Sequence, residues 1–254
     1  MIKAYLPKFF FYHTSNSLIR LGKKNDGGYL VSKNDIDKSD LLLSLGIYDD
    51  WSFENDFYNL KKIPIKAYDA SISKEFFKKR LLRSLFKLNK IKNIIKHFKL
   101  YYSYINFFKD KKKHICKFVG METLNKKFCS LKKIIENEKN KNNIFFKIDI
   151  EGSEYRILND LIHFRKKISG IVIEFHNCDF HIDIIKNFIK KIKLNLVHIH
   201  ANNFSEIRKK DLFPTTLELT FSKYSKKFSK SIFPHKLDMP NNPNSDDIEL
   251  NFHK

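Results

Sequence analysis

Seven short apolar runs recur along the chain, and most of them end at a glycine or an acidic residue. A continuous apolar run of about five residues is typical of a strand that is buried on both faces of a parallel sheet. The runs occupy 41–46, 63–68, 115–119, 144–148, 168–173, 194–199 and 216–221. We therefore predict seven strands in this order.

Segments with a helical spacing of apolar residues lie between most of these runs. Phe53, Phe57 and Leu60 are spaced as on one face of a helix. Helix-like patterns also occupy 124–138, 154–164 and 182–192. Because strands that alternate with helices form right-handed crossover units, the pattern predicts an α/β protein with a Rossmann-like, doubly wound, seven-stranded sheet.

Three further segments flank or interrupt this domain, which we place at 35–225. The segment 1–34 contains Asn-Asp-Gly-Gly followed by a short apolar run, which predicts a hairpin. The segment 226–254 contains Pro-Asn-Asn-Pro and mixed charges, so we predict an irregular C-terminal tail. A helical insertion at 76–110 separates the second strand from the third.

The insertion is rich in Lys and Arg and also in Leu, Ile and Phe. One interpretation is an amphipathic cap that packs over the edge of the sheet. The other is a basic surface helix that contacts anionic lipid or an acidic polymer, which would make the protein a peripheral membrane protein. The sequence leaves both open.

The charge of the whole chain is strongly positive, with 49 Lys and Arg against 28 Asp and Glu and a formal net charge of +21. Such a charge favours nucleic acid or an anionic membrane as a partner. The lysines are scattered, however, and many Asn, Ile and Phe accompany them. We therefore interpret most of the charge as a solvated surface and expect no nucleic-acid partner; the oligomeric state is not predicted.

The three cysteines, Cys116, Cys129 and Cys178, form no Cys-x-x-Cys pair. Neither a disulfide framework nor a cysteine zinc site is indicated, which favours a reducing compartment. Lys3 and Pro7 interrupt the apolar start of the chain, so it is a poor signal peptide. No run of about 18 apolar residues is present, so we expect no transmembrane helix and a cytoplasmic protein.

Polar residues follow several of the predicted strands. Gly46 ends the first strand and Asp69 follows the second, 23 residues later. In an open parallel sheet, ligands bind beyond the carboxyl ends of the strands, and a carboxylate about 20 residues after a glycine turn is the usual partner of a ribose diol. Asp149 and Glu151 follow the fourth strand, so this edge of the sheet is predicted to be the ligand site.

The fourth strand continues into Asp149-Ile150-Glu151-Gly152-Ser153-Glu154. This segment resembles the Asp-hydrophobic-Glu-Gly-small-Glu signature of the FkbM-type methyltransferases, which transfer a methyl group from S-adenosylmethionine to hydroxyls of sugars and polyketides. Similar blocks occur in the family's order at 26–30, 44–46, 51–54, 173–176 and 198–203. The resemblance spans about 20–221. It departs from the family at Tyr48, where many methyltransferases of this fold have a second glycine, and at the unmatched insertion.

The resemblance implies the class I methyltransferase type of sheet and a bound S-adenosylmethionine. Its implied cofactor-binding residues are Gly46, Asp50, Trp51, Ser52, Glu54, Asp69, Gly120 and Asp149, with Met121 beside Gly120 at the adenine. Nearby carboxylates favour the cofactor's sulfonium and ammonium groups. A phosphate-bearing dinucleotide would instead require a glycine-rich loop with few acids, which argues against NAD.

Transfer to a hydroxyl requires an aligned acceptor and a general base. The candidates at neighbouring strand ends are Glu151, Glu174, His176, His198 and His200. Alternation along a strand places His198 and His200 on the same face. Asn202 and Asn203 are candidates for binding substrate hydroxyls or are an ordinary turn.

Four of these strand-end residues also have the composition of a Mg²⁺ or Mn²⁺ site, namely Asp149, Glu151, Glu174 and His176. A metal there would acidify the acceptor hydroxyl. The sequence alone leaves both roles open.

The function indicated is O-methylation of a sugar or surface-glycan precursor, in polysaccharide biosynthesis, with a small molecule or glycan as substrate. Two alternatives stay open. A nucleic-acid-binding protein or RNA methyltransferase would explain the positive charge. A non-catalytic glycan-assembly protein on the same fold would explain Tyr48 in place of a glycine.

Overall fold

The computed structural model describes residues 2–86, 91–120 and 125–253. Its helices, numbered in chain order, are α1 Lys33–Lys38, α2 Ser52–Leu60, α3 Lys74–Phe86, α4 Ile91–Phe107, α5 Leu131–Asn137, α6 Leu158–His163 and α7 Ile182–Ile192. The strands are β1 Ile2–Leu6, β2 His13–Ser15, β3 Leu18–Gly22, β4 Gly28–Ser32, β5 Leu41–Leu45, β6 Ile65–Tyr68, β7 Lys112–Ile115, β8 Phe118–Gly120, β9 Phe128–Ser130, β10 Ile144–Ile148, β11 Ile168–Phe175, β12 Asn195–Ala201, β13 Ile207–Arg208, β14 Phe213–Pro214, β15 Leu217–Ser222, β16 Phe228–Lys230 and β17 Ile248–Phe252.

Seven of these strands form one sheet in the order β7-β6-β5-β10-β11-β15-β12. The first five pair in parallel, and β15 is antiparallel to both of its neighbours. This arrangement is the class I methyltransferase type, so the predicted fold class is confirmed. The strand order reverses between β5 and β10, and ligands of such sheets bind at the carboxyl ends beside that reversal.

Apolar side chains alternate between the two faces of the sheet, and each face has its own core. Leu43 and Phe146 belong to the core that includes α5, α6 and α7. Leu42 and Phe145, one residue earlier on each strand, belong to the core with α2 and the β3–β4 hairpin. Burial on both faces explains why these strands are almost entirely apolar in sequence.

The third strand of the sheet differs from its prediction. It is β7, Lys112–Ile115, whereas the apolar run at 115–119 mostly follows it, and 118–120 pairs with β9 in a separate small sheet. β7 is an edge strand, and its residues are only partly buried. An edge strand tolerates charged side chains. Because β7 contains Lys112 and Lys113, it does not form an apolar run in the sequence and was not predicted.

The helix predictions are confirmed to different extents. The helix at 182–192 is confirmed as α7, and the helical spacing of Phe53, Phe57 and Leu60 as α2. A short 3₁₀ turn and α6 replace one continuous helix at 154–164. Of the predicted 124–138, only 131–137 is helical, 128–130 is a strand, and Leu124 lies outside the described residues.

The termini are more ordered than the sequence predicts. The β3–β4 hairpin within 1–34 is confirmed. Within 226–254, which we predicted to be irregular, residues 231–247 contain no helix or strand, but β16 pairs with β2 and β17 pairs in parallel with β1. Ile248 and Leu250 are buried there. Among the described residues, no helix combines the length and apolarity that crossing a bilayer requires.

Candidate active site

A cavity of about 660 Å³ opens where β5, β6, β7 and β10 end. Pockets that bind small molecules have volumes on the order of 300 to 1,000 Å³. The acidic lining residues are Asp26, Asp49, Asp50, Glu54, Asp69, Asp149 and Glu151, and the basic ones are Lys23, Lys117, Lys147 and Arg156. The described lining residues thus have a formal charge of −3 in a chain whose net charge is +21.

The turn after β5 forms the floor of this cavity. Gly46 has a φ of +80°, and a Cβ at this position would lie 1.7 Å from the carbonyl oxygen of Asp149. Only glycine therefore permits the close approach of the two strand ends. Two residues later, Tyr48 has a φ of +39°. This left-handed conformation favours glycine. Tyr48 stands at the position where many methyltransferases of this fold have a second glycine.

Asp69 holds this turn in place. One carboxylate oxygen accepts the N–H groups of Ile47 and Tyr48, at 3.1 and 2.8 Å. The other accepts the N–H and hydroxyl of Ser71, at 2.8 and 2.6 Å. Burial raises the pKa of Asp69, but these hydrogen bonds outweigh it and the pKa lies below its usual value. A carboxylate has about four lone-pair sites, and these four protein donors occupy them. The predicted contact of Asp69 with a ribose therefore stays a prediction.

Lys147 of β10 links the ends of β5 and β10 beneath the cavity. Its ammonium donates to the carbonyl oxygen of Gly46 at 2.6 Å and lies 3.4 Å from a carboxylate oxygen of Asp149. Burial lowers the pKa of Lys147, but Asp149, Glu54 and Glu174 raise it overall, so the group stays charged. Sequence reasoning missed Lys147, although a lysine within an otherwise apolar strand was the available signal.

Three of the four residues predicted to hold a metal lie close together, and two of them, Asp149 and Glu151, line the cavity. Single ligand atoms of Asp149, Glu151 and His176 all lie within 4.8 Å of one another. Glu151 projects into the opening, with 86% of its side chain exposed, and its φ of +52° is a strained conformation for a non-glycine residue. The His176 ring lies 3.5 Å from Glu151 on one side and 3.1 Å from the buried Glu154 on the other.

The carboxylates around His176 favour its protonated form. Burial lowers its pKa, but the hydrogen bond and charge of Glu154, with Glu174 and Asp149, raise it to about 9. A protonated imidazole has no free lone pair with which to accept a proton, and the predicted catalytic role of His176 stays a prediction.

Glu174 is buried beside this group and is not among the lining residues. It accepts the Tyr29 hydroxyl at 3.1 Å and the Asn202 amide at 2.9 Å. Burial, together with the charges of Asp149 and Glu218, raises the pKa of Glu174 to about 8. Glu174 therefore lies behind the cavity lining, and its predicted role as a base stays a prediction. Asn202 belongs to the same buried group, and Tyr29 was missed by sequence reasoning.

The two histidines of β12 lie on one face, as predicted, but outside the cavity lining. His200 is buried, and its two ring nitrogens lie 3.3 Å from Glu218 and 3.0 Å from Asp247. His198 lies 2.9 Å from Asp238. Both ring nitrogens of His200 are thus paired with carboxylates within the fold, away from the cavity lining, and its catalytic role stays a prediction.

Two predicted cofactor residues also lie outside the main cavity. Trp51 packs edge-on against Phe77 and Tyr104, and its ring N–H donates to Ser103 on α4 at 3.2 Å. Ser52 begins α2, and its N–H is bonded to Asp50. Trp51 therefore contacts the insertion through α4, and Ser52 is the first residue of α2.

The remaining predicted cofactor residues line the cavity, namely Gly46, Asp50, Glu54, Asp69, Gly120 and Asp149. Met121 lies outside the described residues. Beside Gly120, Phe118 and Phe128 also line the cavity, with ring centroids 5.4 Å apart. Sequence reasoning missed this aromatic wall, because it depends on the pairing of β8 with β9.

No protein-family model and no curated protein sequence matches the chain. Among solved structures, the chain is similar to a precorrin-6y C5,15-methyltransferase from Geobacter metallireducens, with a TM-score of 0.37 and 9% identity over 74% of this chain and 85% of that one. It is also similar to the fibrillarin pre-rRNA processing protein of Methanococcus jannaschii, with a TM-score of 0.36 and 10% identity over 76% of this chain and 70% of that one. Both similarities are low, so the fold assignment rests on the strand order.

Proposed function

We propose that the protein is an S-adenosylmethionine-dependent methyltransferase whose cofactor occupies the acidic cavity. The observation that carries this proposal is the inversion of charge, since a lining of −3 lies within a chain of +21. A cofactor with a sulfonium and an ammonium group gains favourable electrostatic energy from such a lining. A phosphate-bearing dinucleotide or a nucleic-acid strand would meet repulsion in the same place.

The lining residues fit such a cofactor in three parts. The turn of Gly46 would accommodate the methionine portion beside Asp149. Asp69 and Ser71 would lie at the ribose, with Asp69 acting mainly through the turn that it holds. Phe118 and Phe128 would provide an apolar surface for the adenine. When bound, the cofactor supplies an electrophilic methyl group.

The acceptor is proposed to be a hydroxyl of a sugar or glycan precursor. A bound cofactor would supply its methyl group to the acceptor oxygen and would leave as S-adenosylhomocysteine, and a carboxylate oxygen of Glu151 would accept the hydroxyl proton. Glu151 is the one base candidate that both lines the cavity and is freely exposed in it. Protonated His176, fixed by Glu154, positions that carboxylate. The sugar assignment is supported by the resemblance to the FkbM-type signature at 149–154.

The wild-type protein is expected to bind S-adenosylmethionine or S-adenosylhomocysteine in isothermal titration calorimetry. Asp69→Ala should weaken this affinity about tenfold or more, because four hydrogen bonds that order the turn and its neighbourhood are lost. The matched control is Asp40→Ala, since Asp40 accepts two backbone N–H groups at the opposite end of the sheet. Absence of binding at millimolar ligand, or equal affinity in folded Asp69→Ala, would remove the cofactor assignment.

Activity is expected to survive treatment with EDTA. Asp149, Glu151 and His176 are close enough to ligate one ion, but a ligating imidazole must be deprotonated and the pKa of His176 is raised to about 9. The measurement is product formation before and after chelation, with Mg²⁺ or Mn²⁺ added back. Loss of activity in EDTA and recovery with either ion would make these three residues metal ligands and would overturn the general-base role of Glu151.

A further inference from the structure

An exposed apolar stripe runs along α4. It consists of Ile91, Ile95, Phe98 and Tyr102, whose exposed fractions are 75%, 48%, 49% and 49%. Their spacing of four, three and four residues places them on one side of the helix. On the opposite side, Tyr104 and Phe107 are buried against the domain. α4 therefore has two apolar faces, and among the described residues only one of them packs within the fold.

The neighbouring helix adds further apolar surface. Leu82 and Leu85 of α3 are exposed by 40% and 47%. Single exposed apolar side chains are common, but six of them on two contacting helices are more than soluble monomers usually leave in water.

The charge around the stripe has one sign. Between residues 76 and 108 the sequence contains nine Lys and Arg and no Asp or Glu. Lys92, Lys96 and Lys99 of α4 are exposed, and they flank the stripe on one side of the helix. A helix with apolar side chains on one face and lysines beside them is the type that lies in the interface of an anionic bilayer.

We propose that the α3–α4 hairpin docks on an anionic lipid surface, with the stripe in the acyl boundary and the lysines at the headgroups. Charge complementarity favours this partner over a second copy of the chain, because two copies would bring their lysines together. Four of the six exposed side chains are aliphatic and two, Phe98 and Tyr102, are aromatic, which favours lipid over RNA because bases stack on aromatic rings.

The proposed docking surface is joined directly to the cavity wall. Arg80 of α3 forms an ion pair of 2.8 Å with Asp49, which lines the cavity. Ser103 of α4 accepts the hydrogen bond of Trp51, in the same loop. Docking would therefore hold the cavity close to the membrane.

The test is co-sedimentation of the full chain with phosphatidylglycerol-rich vesicles and with pure phosphatidylcholine vesicles. We expect strong binding to the first, little to the second, and a loss of binding as salt rises. The double variant Lys96→Glu/Lys99→Glu should bind at least about 20-fold more weakly, because each lysine near an anionic surface contributes about fivefold. Its control is Lys190→Glu/Lys191→Glu on α7, which makes the same charge change elsewhere and should weaken binding much less.

A second pair of variants separates docking from general electrostatic attraction. Ile95→Ser/Phe98→Ser should weaken vesicle binding about tenfold or more without a change of charge, whereas Ile184→Ser, at an exposed apolar position of α7, should not. Equal binding of both lysine variants, or full binding by Ile95→Ser/Phe98→Ser, would overturn the proposal. Binding of RNA at physiological salt without binding of vesicles would also overturn the proposal. So would dissociation of a dimer by Ile95→Ser/Phe98→Ser in light scattering with no change in vesicle binding.

Discussion

Glu151→Gln is expected to slow methyl transfer by about 10²- to 10⁴-fold, the usual cost of removing a general base. The substitution keeps the shape and most of the polarity of the side chain but removes its capacity to accept a proton. Since Glu151 is largely exposed and is not part of the turn that Asp69 holds, cofactor affinity and melting temperature should stay close to those of the wild type. Product formation, calorimetry and thermal unfolding measure the three quantities separately.

Two controls make this result specific. Glu136→Gln removes an exposed carboxylate of α5 and should leave all three quantities unchanged. His200→Asn should behave in the opposite way to Glu151→Gln, because it leaves Glu218 and Asp247 without their partner and should lower stability by about 1 to 3 kcal/mol. A fully active Glu151→Gln enzyme would show that the base lies elsewhere in the cavity.

Much of the fold could be predicted because the central strands are buried on both faces. That burial requires continuous apolar runs, and β5, β10 and β11 are visible as such in the sequence. The edge strand β7 could not be found in this way, since it is only partly buried and contains two lysines. The strand β17 was missed because its partner is β1, at the other end of the chain, and no local pattern specifies a pairing over that separation.

Some residues of the candidate site could also be predicted from the sequence, and others could not. Residues that directly follow a central strand, such as Gly46, Asp69 and Asp149, are placed at the cavity by the topology alone. His200 also lies near the end of its strand, but β12 is the far edge of the sheet and its end faces a buried network. Position along a strand is thus informative only together with the order of strands in the sheet, which a single sequence does not specify.

The charge of the chain also has to be considered by region. A net +21 favours a polyanion as ligand when it is averaged over the molecule, yet the cavity is lined mainly by carboxylates. The positive charge is instead concentrated where 76–108 contains no acidic residue. We infer that the two surfaces serve different partners, a cationic cofactor in the cavity and an anionic surface at the hairpin.

The last prediction compares Gly46, in the turn after β5, with Gly152, in the turn after β10. Gly46 and Gly152 both have a left-handed backbone, with φ values of +80° and +90°. A Cβ on Gly152 would meet no atom within 4 Å, whereas a Cβ on Gly46 would lie 1.7 Å from the carbonyl oxygen of Asp149. Gly152→Ala should therefore cost only the unfavourable backbone conformation, about 1 to 2 kcal/mol.

Gly46→Ala should cost a further 1 to 3 kcal/mol or more, because the added methyl group has to separate the ends of β5 and β10. That separation would also displace Lys147, which donates to the carbonyl oxygen of Gly46, so cofactor binding should be lost in the folded fraction. Denaturant unfolding gives the difference in stability between the two variants, and calorimetry gives their affinities. If Gly46→Ala were as stable as Gly152→Ala and still bound the cofactor, the close approach of the two strand ends would not be what forms the floor of the site.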